Sequence, residues 1–370
     1  EPLGLGNVLI EGDKIGAVYE IGEETPDVEA MDLGGVALGP GLIDVHTHGA
    51  DRVELMDGGD AAAHLARFYA KHGVTGFLPT TLTDSFEDIA EAVDSARRAM
   101  ADPPAGARVL GVHLEGPFVS PERLGAQSPE FCIPPTRDNV ARLLEVAGDI
   151  ARIVTLAPEE EGGLEAVKTF TDRGIIVSIG HTVATVDEAF AAFANGVREA
   201  THLFNGMKPM HHRRPGVVGA VLTTDEVKAE IITDGIHLAP TTIRLALAAK
   251  GVDNVLLITD SMAATGCEDG EYILGPLKVT VKNGEARLPS GALAGSTLTL
   301  DTAVCNVTRW TKLGLGGAWQ MASLNPARQL GIDDHVGRIA PGYNADLTAM
   351  DASGQVVMTM VGGEIVHQVQ

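Results

Sequence analysis

Leu42-Ile43-Asp44-Val45-His46-Thr47-His48 is a short, mostly apolar run that ends in two histidines. Further short apolar runs follow at Val74–Leu78, Val109–Leu114, Ile153–Leu156, Ile175–Ile179, Val197–Ala200, Ala229–Ile232 and Val255–Ile258. Each has the length of a strand, and all but Val197–Ala200, which carries Arg198 and Glu199, are mainly apolar. Stretches of helical period separate them: Asp60–His72, Ser85–Met100, Arg137–Ala147, Gly163–Arg173, Val186–Ala194 and Pro240–Lys250. Ser85 with Asp88 three residues on resembles a capping box. Eight strands alternating with helices predict an α/β fold, a (β/α)8 TIM-type barrel closed on itself. An open doubly wound sheet is the competing arrangement. It would be supported by a Gly-x-Gly-x-x-Gly turn after the first strand, and the sequence has none.

The two ends are written differently. Val8–Ile10, Ile15–Val18 and Val36–Leu38 near the start, and Leu347–Met350, Val356–Met360 and Glu364–Val366 near the end, are short strand-like pieces set among Gly, Asp and Pro turns. Neither end could bury a core alone. The expectation is a small β-sandwich domain built from residues 1–43 and 337–370, beside a barrel of residues 44–336.

The bulk numbers are those of a soluble enzyme. The 370 residues are 45% hydrophobic and 21% charged, enough for one large core with a small companion. A formal charge of −23 argues against nucleic acid, since few cations are at hand to neutralise phosphates. No apolar run approaches the roughly 18 residues of a membrane span, and no secretory signal is visible. Cys132, Cys267 and Cys305 are widely spaced and read as reduced thiols in a cytoplasm.

Chemistry in such a barrel sits at the carboxyl ends of the strands. The first run ends at His46 and His48, which an extended strand points to one face. The third ends in His113-Leu114-Glu115, the fifth in Gly180-His181-Thr182, the sixth in Thr201-His202-Leu203 and the eighth in Thr259-Asp260-Ser261. Singly, each could be a turn or a solvated group. Together they form a nitrogen and oxygen donor set without thiolate, suited to a divalent metal such as Zn, Fe, Mn or Co. Asp260 is placed to take a proton from a metal-activated water and deliver it to a leaving nitrogen. His64, His72, His335 and His367 lie away from strand ends and read as surface or core residues.

These segments resemble the amidohydrolase superfamily and, within it, the N-acetylglucosamine-6-phosphate deacetylase family. The resemblance runs through Pro40-Gly41-Leu42-Ile43-Asp44-Val45-His46-Thr47-His48-Gly49, His113-Leu114-Glu115-Gly116-Pro117-Phe118, Gly180-His181-Thr182, Thr201-His202-Leu203-Phe204-Asn205-Gly206-Met207, Asp234-Gly235-Ile236-His237 and Thr259-Asp260-Ser261. The first segment is shared across the superfamily; the His-Leu-Glu-Gly-Pro and Thr-His-Leu-Phe-Asn pair is much more specific. The resemblance implies hydrolysis of an N-acetyl amide to glucosamine 6-phosphate and acetate, in amino-sugar catabolism and cell-wall recycling. It implies one or two divalent ions per subunit, zinc first among the candidates. Glu115, His181 and His202 would hold the principal ion, and His46 and His48 a second, with Glu115 bridging. It makes Asp260 the catalytic acid/base. It gives Asn205 and the backbone of Gly206 to the sugar phosphate, and Arg213 and His237 to its phosphate group, partly across a homodimer interface.

Two positions depart from related sequences. The fourth strand ends Thr155-Leu156-Ala157-Pro158, with no Lys to be carboxylated, which argues against a dihydroorotase- or urease-like site. Gln127 stands where many members of the family carry a histidine that contacts substrate; a neutral amide can still donate a hydrogen bond to the acetyl oxygen. Two other readings remain: an amidohydrolase acting on a different N-acyl amine or cyclic amide, and a sugar-phosphate sensor without chemistry. The pair Arg213 and His237 favours a phosphorylated ligand, with Arg213 in the one conspicuous cationic segment, Lys208-Pro209-Met210-His211-His212-Arg213-Arg214, and the presence of Asp260 disfavours the sensor.

Overall fold

Each of the eight apolar runs is a strand. In a computed structural model, which describes residues 4–369, the strands are Leu42–Thr47, Val74–Pro79, a third in two pieces (Arg108–Val109 and Val112–Glu115), Ala151–Leu156, Ile176–Ile179, Val197–Ala200, Lys228–Ile232 and Val255–Ile258. All pair in parallel and in chain order. The first bonds to the second and the second to the first piece of the third. The second piece bonds to the fourth, and the order continues to the eighth.

The break in the third strand falls at Gly111, whose φ is +135°. A Cβ there would lie 2.3 Å from Arg152 Cγ and 2.5 Å from the Ile150 carbonyl oxygen, so only glycine fits. The eighth strand meets the first through Asp260 N–H, which donates to His46 O at 2.9 Å, and through Thr259 Oγ1–H, which donates to Asp44 Oδ2 at 2.6 Å. The ring is thereby closed. Burial pushes the Asp44 carboxyl up to about 7 despite the bonds from Thr259.

The six helices read from periodicity occur at Ala61–Ala70, Phe86–Ala101, Arg137–Ala147, Gly163–Thr171, Val186–Asn195 and Pro240–Lys250. Ser85 Oγ accepts from Asp88 N–H at 3.0 Å, satisfying one of the free donors of the helix start. Thr185 and Glu188 make a full capping box. The buried faces, Leu65, Ile89, Val93, Leu143, Val167, Phe170 and Ile243 among them, join the strand side chains in one apolar core. Further helices at Gly216–Leu222, Leu300–Trp310, Gly314–Met321 and Leu324–Gln329 were not foreseen.

Ala37–Pro40 pairs antiparallel with Leu347–Met350, which continues through Val356–Val361 to Glu364–Gln368. The hairpin of Gly6–Glu11 and Lys14–Glu20 is a separate two-stranded sheet. It is tied to the carboxyl-terminal part by Ile15 N–H to Tyr343 O and Ala345 N–H to Asp13 O, both 2.8 Å. Buried Ile15, Ala345 and Leu347 fill the space between.

One further element lies outside the strand–helix repeat. Gly270–Leu274, Leu277–Lys282 and Glu285–Arg287 form an antiparallel three-stranded sheet. Its Tyr272, Leu274, Val279 and Val281 pack on Leu82 and Met262, which follow the second and eighth barrel strands. The sheet therefore sits at the carboxyl end of the barrel, where Glu54 accepts from Gly275 N–H at 3.0 Å and Ala263 N–H at 3.2 Å.

Candidate metal centre

The strand ends converge. His181 Nε2 and His202 Nε2 lie 3.1 and 3.2 Å from Glu115 Oε1 and 3.1 Å from each other. His46 Nε2 and His48 Nε2 are 3.3 Å apart, and His48 Nε2 lies 3.3 Å from Glu115 Oε2 and 3.2 Å from Asp260 Oδ1. Glu115 thus turns Oε1 to His181, His202 and, at 3.6 Å, His46, and Oε2 to His48. Glu115–His181–His202 and His46–His48–Asp260 each bring one donor atom per residue within 4.8 Å of one another, all buried. Converging imidazole nitrogens cannot satisfy each other without a shared proton or cation between them. The donor set fits one or two divalent ions.

Backbone geometry aims these groups. His181, His202 and Asp260 have φ of +46°, +30° and +50°, left-handed values that non-glycine residues seldom adopt. The chain turns abruptly out of each strand and directs the side chain over the barrel mouth, a local strain of the sort that clusters at functional sites.

Each histidine is fixed through its other nitrogen. Nδ1 of His181 donates to Arg123 O (2.7 Å), that of His202 to Asn205 O (3.2 Å), and that of His48 to Thr80 O (3.2 Å). His46 alone uses a side chain: its Nδ1 lies 3.0 Å from Glu230 Oε2. This tautomer leaves Nε2 free on all four. His113, the remaining strand-end histidine, is not part of the convergence. Its nitrogens meet Val45 O at 3.0 Å and Thr155 Oγ1 at 2.8 Å, and burial lowers its pKa to about 4.

The charges compensate one another. Burial alone would lower the His46 imidazole, yet the carboxylates of Glu230 and Glu115 push it well above the ordinary histidine range. His48 moves in the same sense, to about 9, through Asp260 and Glu115. Burial would raise Glu115 and Asp260, but the surrounding imidazoles hold both below the usual carboxylate range. Asp260 is therefore an anion.

A cavity of about 240 Å³ opens onto this cluster. Gln127, Asn205, Gly206 and His237 line it with His48, Glu115, His181, His202 and Asp260, and the unforeseen sheet and the segment after it supply Leu274 and Leu293. Gln127 does not stand free in the cavity. Its Nε2–H donates to Glu115 Oε2 at 2.7 Å, and its Oε1 accepts from Thr83 N–H at 2.7 Å. His237 is held by Asp234 Oδ2 at 2.7 Å. Arg213 lies outside the cavity wall, exposed, with Nη1 2.8 Å from His212 Nε2.

Two buried carboxylates beneath the site went unread: Glu230, and Glu199 beside it, which burial and the Glu230 charge hold well above the usual range. For Glu230 a signal exists, since it is the one charged residue in the run Ala229–Ile232, where an unpartnered carboxylate is costly.

A family model described as "Amidohydrolase family" matches residues 37–366. N-acetylglucosamine-6-phosphate deacetylase of Lysinibacillus sphaericus is 40% identical over 339 residues, 91% of this chain and 87% of that protein. N-acetylgalactosamine-6-phosphate deacetylase of Escherichia coli is 39% identical, covering 88% and 86%. A solved mutant of the Mycobacterium smegmatis N-acetyl-D-glucosamine-6-phosphate deacetylase, in complex with N-acetyl-D-glucosamine-6-phosphate, superposes with a TM-score of 0.91 at 34% identity over 98% and 94% of the two chains. The chain belongs to the amidohydrolase family, among its amino-sugar-phosphate deacetylases.

Proposed function

We infer that this chain hydrolyses the N-acetyl amide of N-acetylglucosamine 6-phosphate, giving glucosamine 6-phosphate and acetate. The observation that carries the reading is the convergence of two histidine pairs on Glu115 with an anionic Asp260 at 3.2 Å from His48, under a cavity of sugar size.

Glu115, His181 and His202 would hold the principal ion, and His46 and His48 would hold a second beside it. Zinc suits this nitrogen and oxygen set. A divalent ion bound there supplies Lewis acidity toward the acetyl oxygen and makes water acidic near neutral pH. Asp260 accepts the proton of the attacking water as the new C–O bond forms. It returns that proton to the amine nitrogen as the C–N bond breaks, so one carboxylate serves as base and then acid. Leu82, Leu274 and Leu293 keep bulk water from the reacting bond. His237, Asn205 and the Gly206 backbone take the sugar phosphate. Arg213, exposed and outside its own cavity wall, acts across a homodimer interface, where its guanidinium can grip phosphate with two donors. Gly6–Glu11, Lys14–Glu20 and Ala37–Pro40, with the three carboxyl-terminal strands, form the small β unit beside the barrel. A cytoplasmic setting is supported by three unpaired, half-buried thiols, and no helix among the described residues is long and apolar enough to cross a membrane.

Acetate release from the 6-phosphorylated sugar, its unphosphorylated form and its 4-epimer tests the substrate. The phosphorylated glucosamine derivative should be turned over fastest. Equal rates with and without the phosphate would replace this reading with a general N-acyl amine hydrolase.

A further inference from the structure

Three of the four converging histidines rest on backbone carbonyls, which the fold supplies whatever the side chain. His46 rests on a carboxylate. Glu230 and His46 are both fully buried, and Glu230 Oε2 lies 3.0 Å from His46 Nδ1. The same oxygen accepts from the backbone N–H of His202 at 3.1 Å. One atom therefore touches a member of each histidine pair, from beneath. We propose that Glu230 is a positioning residue that retains the second ion, by fixing His46 as an Nε2 ligand and locking its pair to the pair of His202; the proposal rests on the two-ion reading above.

His46, His113 and Glu230 also lie close enough to suggest an ion site of their own. The geometry speaks against it. His113 has a partner on each nitrogen, and Glu230 Oε2 is already shared by His46 and His202. The negative charge of Glu230 acts through the His46 ring instead. A carboxylate behind a ligating imidazole fixes its tautomer and strengthens it as a donor, and removal of such a partner typically weakens metal binding by about 10- to 100-fold. His48, held by a neutral carbonyl, gains no such help. The second ion should therefore depend on Glu230 more than the principal ion does.

The full chain and its Glu230→Gln and Glu230→Leu variants are stripped of metal and equilibrated with Zn²⁺ alone. Bound ions are counted, and the Tm of each metal-free protein is recorded. The parent should take two ions. Glu230→Leu should lose affinity for one of them by about 10- to 100-fold and keep the other within a few-fold of the parent. Glu230→Gln should fall between, because an amide oxygen can still accept from Nδ1–H without charge. A merely structural role would lower Tm and spare the selective loss. Two folded variants binding both ions at parent affinity would overturn the proposal; if Glu230→Leu does not fold, unchanged binding by Glu230→Gln overturns it alone. A parent that takes only one ion would remove the two-ion reading itself, and this inference with it.

Discussion

Gln127 donates its amide hydrogen to Glu115 Oε2 at 2.7 Å, bracing the carboxylate on which both histidine pairs converge. By its sequence position this amide is expected to contact the acetyl oxygen of a substrate. With its Oε1 anchored to Thr83 N–H, the amide is also positioned to hold Glu115. Gln127→Ala should weaken metal retention by about 10-fold or more and lower kcat with it. Dialysis against Zn²⁺ and steady-state kinetics distinguish the roles: a raised KM with parent metal affinity would make Gln127 a substrate contact only.

Metal loading should depend steeply on pH. Without metal, His48 is raised to about 9, and His46 and His181 are also raised by neighbouring carboxylates. A group with a raised pKa keeps its proton below that value, and a cation must displace it. Apparent affinity should therefore rise with pH through the range in which these imidazoles give up their protons, the His48 proton being lost near 9. Below that, each displaced proton weakens binding about tenfold per pH unit. Zn²⁺ dialysis at pH 7 and 8 reads the slope. Equal affinities at the two values would mean that the imidazoles are not the ligands.

Asp260→Asn should keep the fold and the metal and lose at least about a thousandfold in turnover, since one group serves two proton transfers that each contribute about a hundredfold or more. Substrate affinity should change little. Circular dichroism, metal analysis and single-turnover acetate release on one preparation check this. A folded, metal-loaded variant retaining more than about a tenth of the parent rate would remove Asp260 from proton transfer.

Much of this was legible because the barrel strands are written as local signals. Val255–Ile258 and Val197–Ala200 are short runs bounded by turns, and the donors follow directly at the strand ends. The Gly270–Arg287 sheet was missed, although its code is plain once seen. Tyr272 and Leu274 face in while Glu271 and Ile273 face out, and Val279 and Val281 alternate with Lys278 and Thr280. That is the period of a sheet covered on one face, distinct from the strand–helix repeat of the barrel. The bracing of His46 by Glu230 was not legible, because residues 184 apart in sequence meet only after the barrel closes.

Amide hydrolysis at this cluster should require metal, and titrating metal-free chain with Zn²⁺ decides whether it does. Acetate release from N-acetylglucosamine 6-phosphate and bound metal should be measured on the same samples, with His202→Asn in parallel. Activity should be absent at zero metal, rise as the site fills and be restored on reloading, while His202→Asn should lose metal and rate together. Parent-rate hydrolysis by the metal-free chain, or by a His202→Asn variant that binds metal normally, would contradict it.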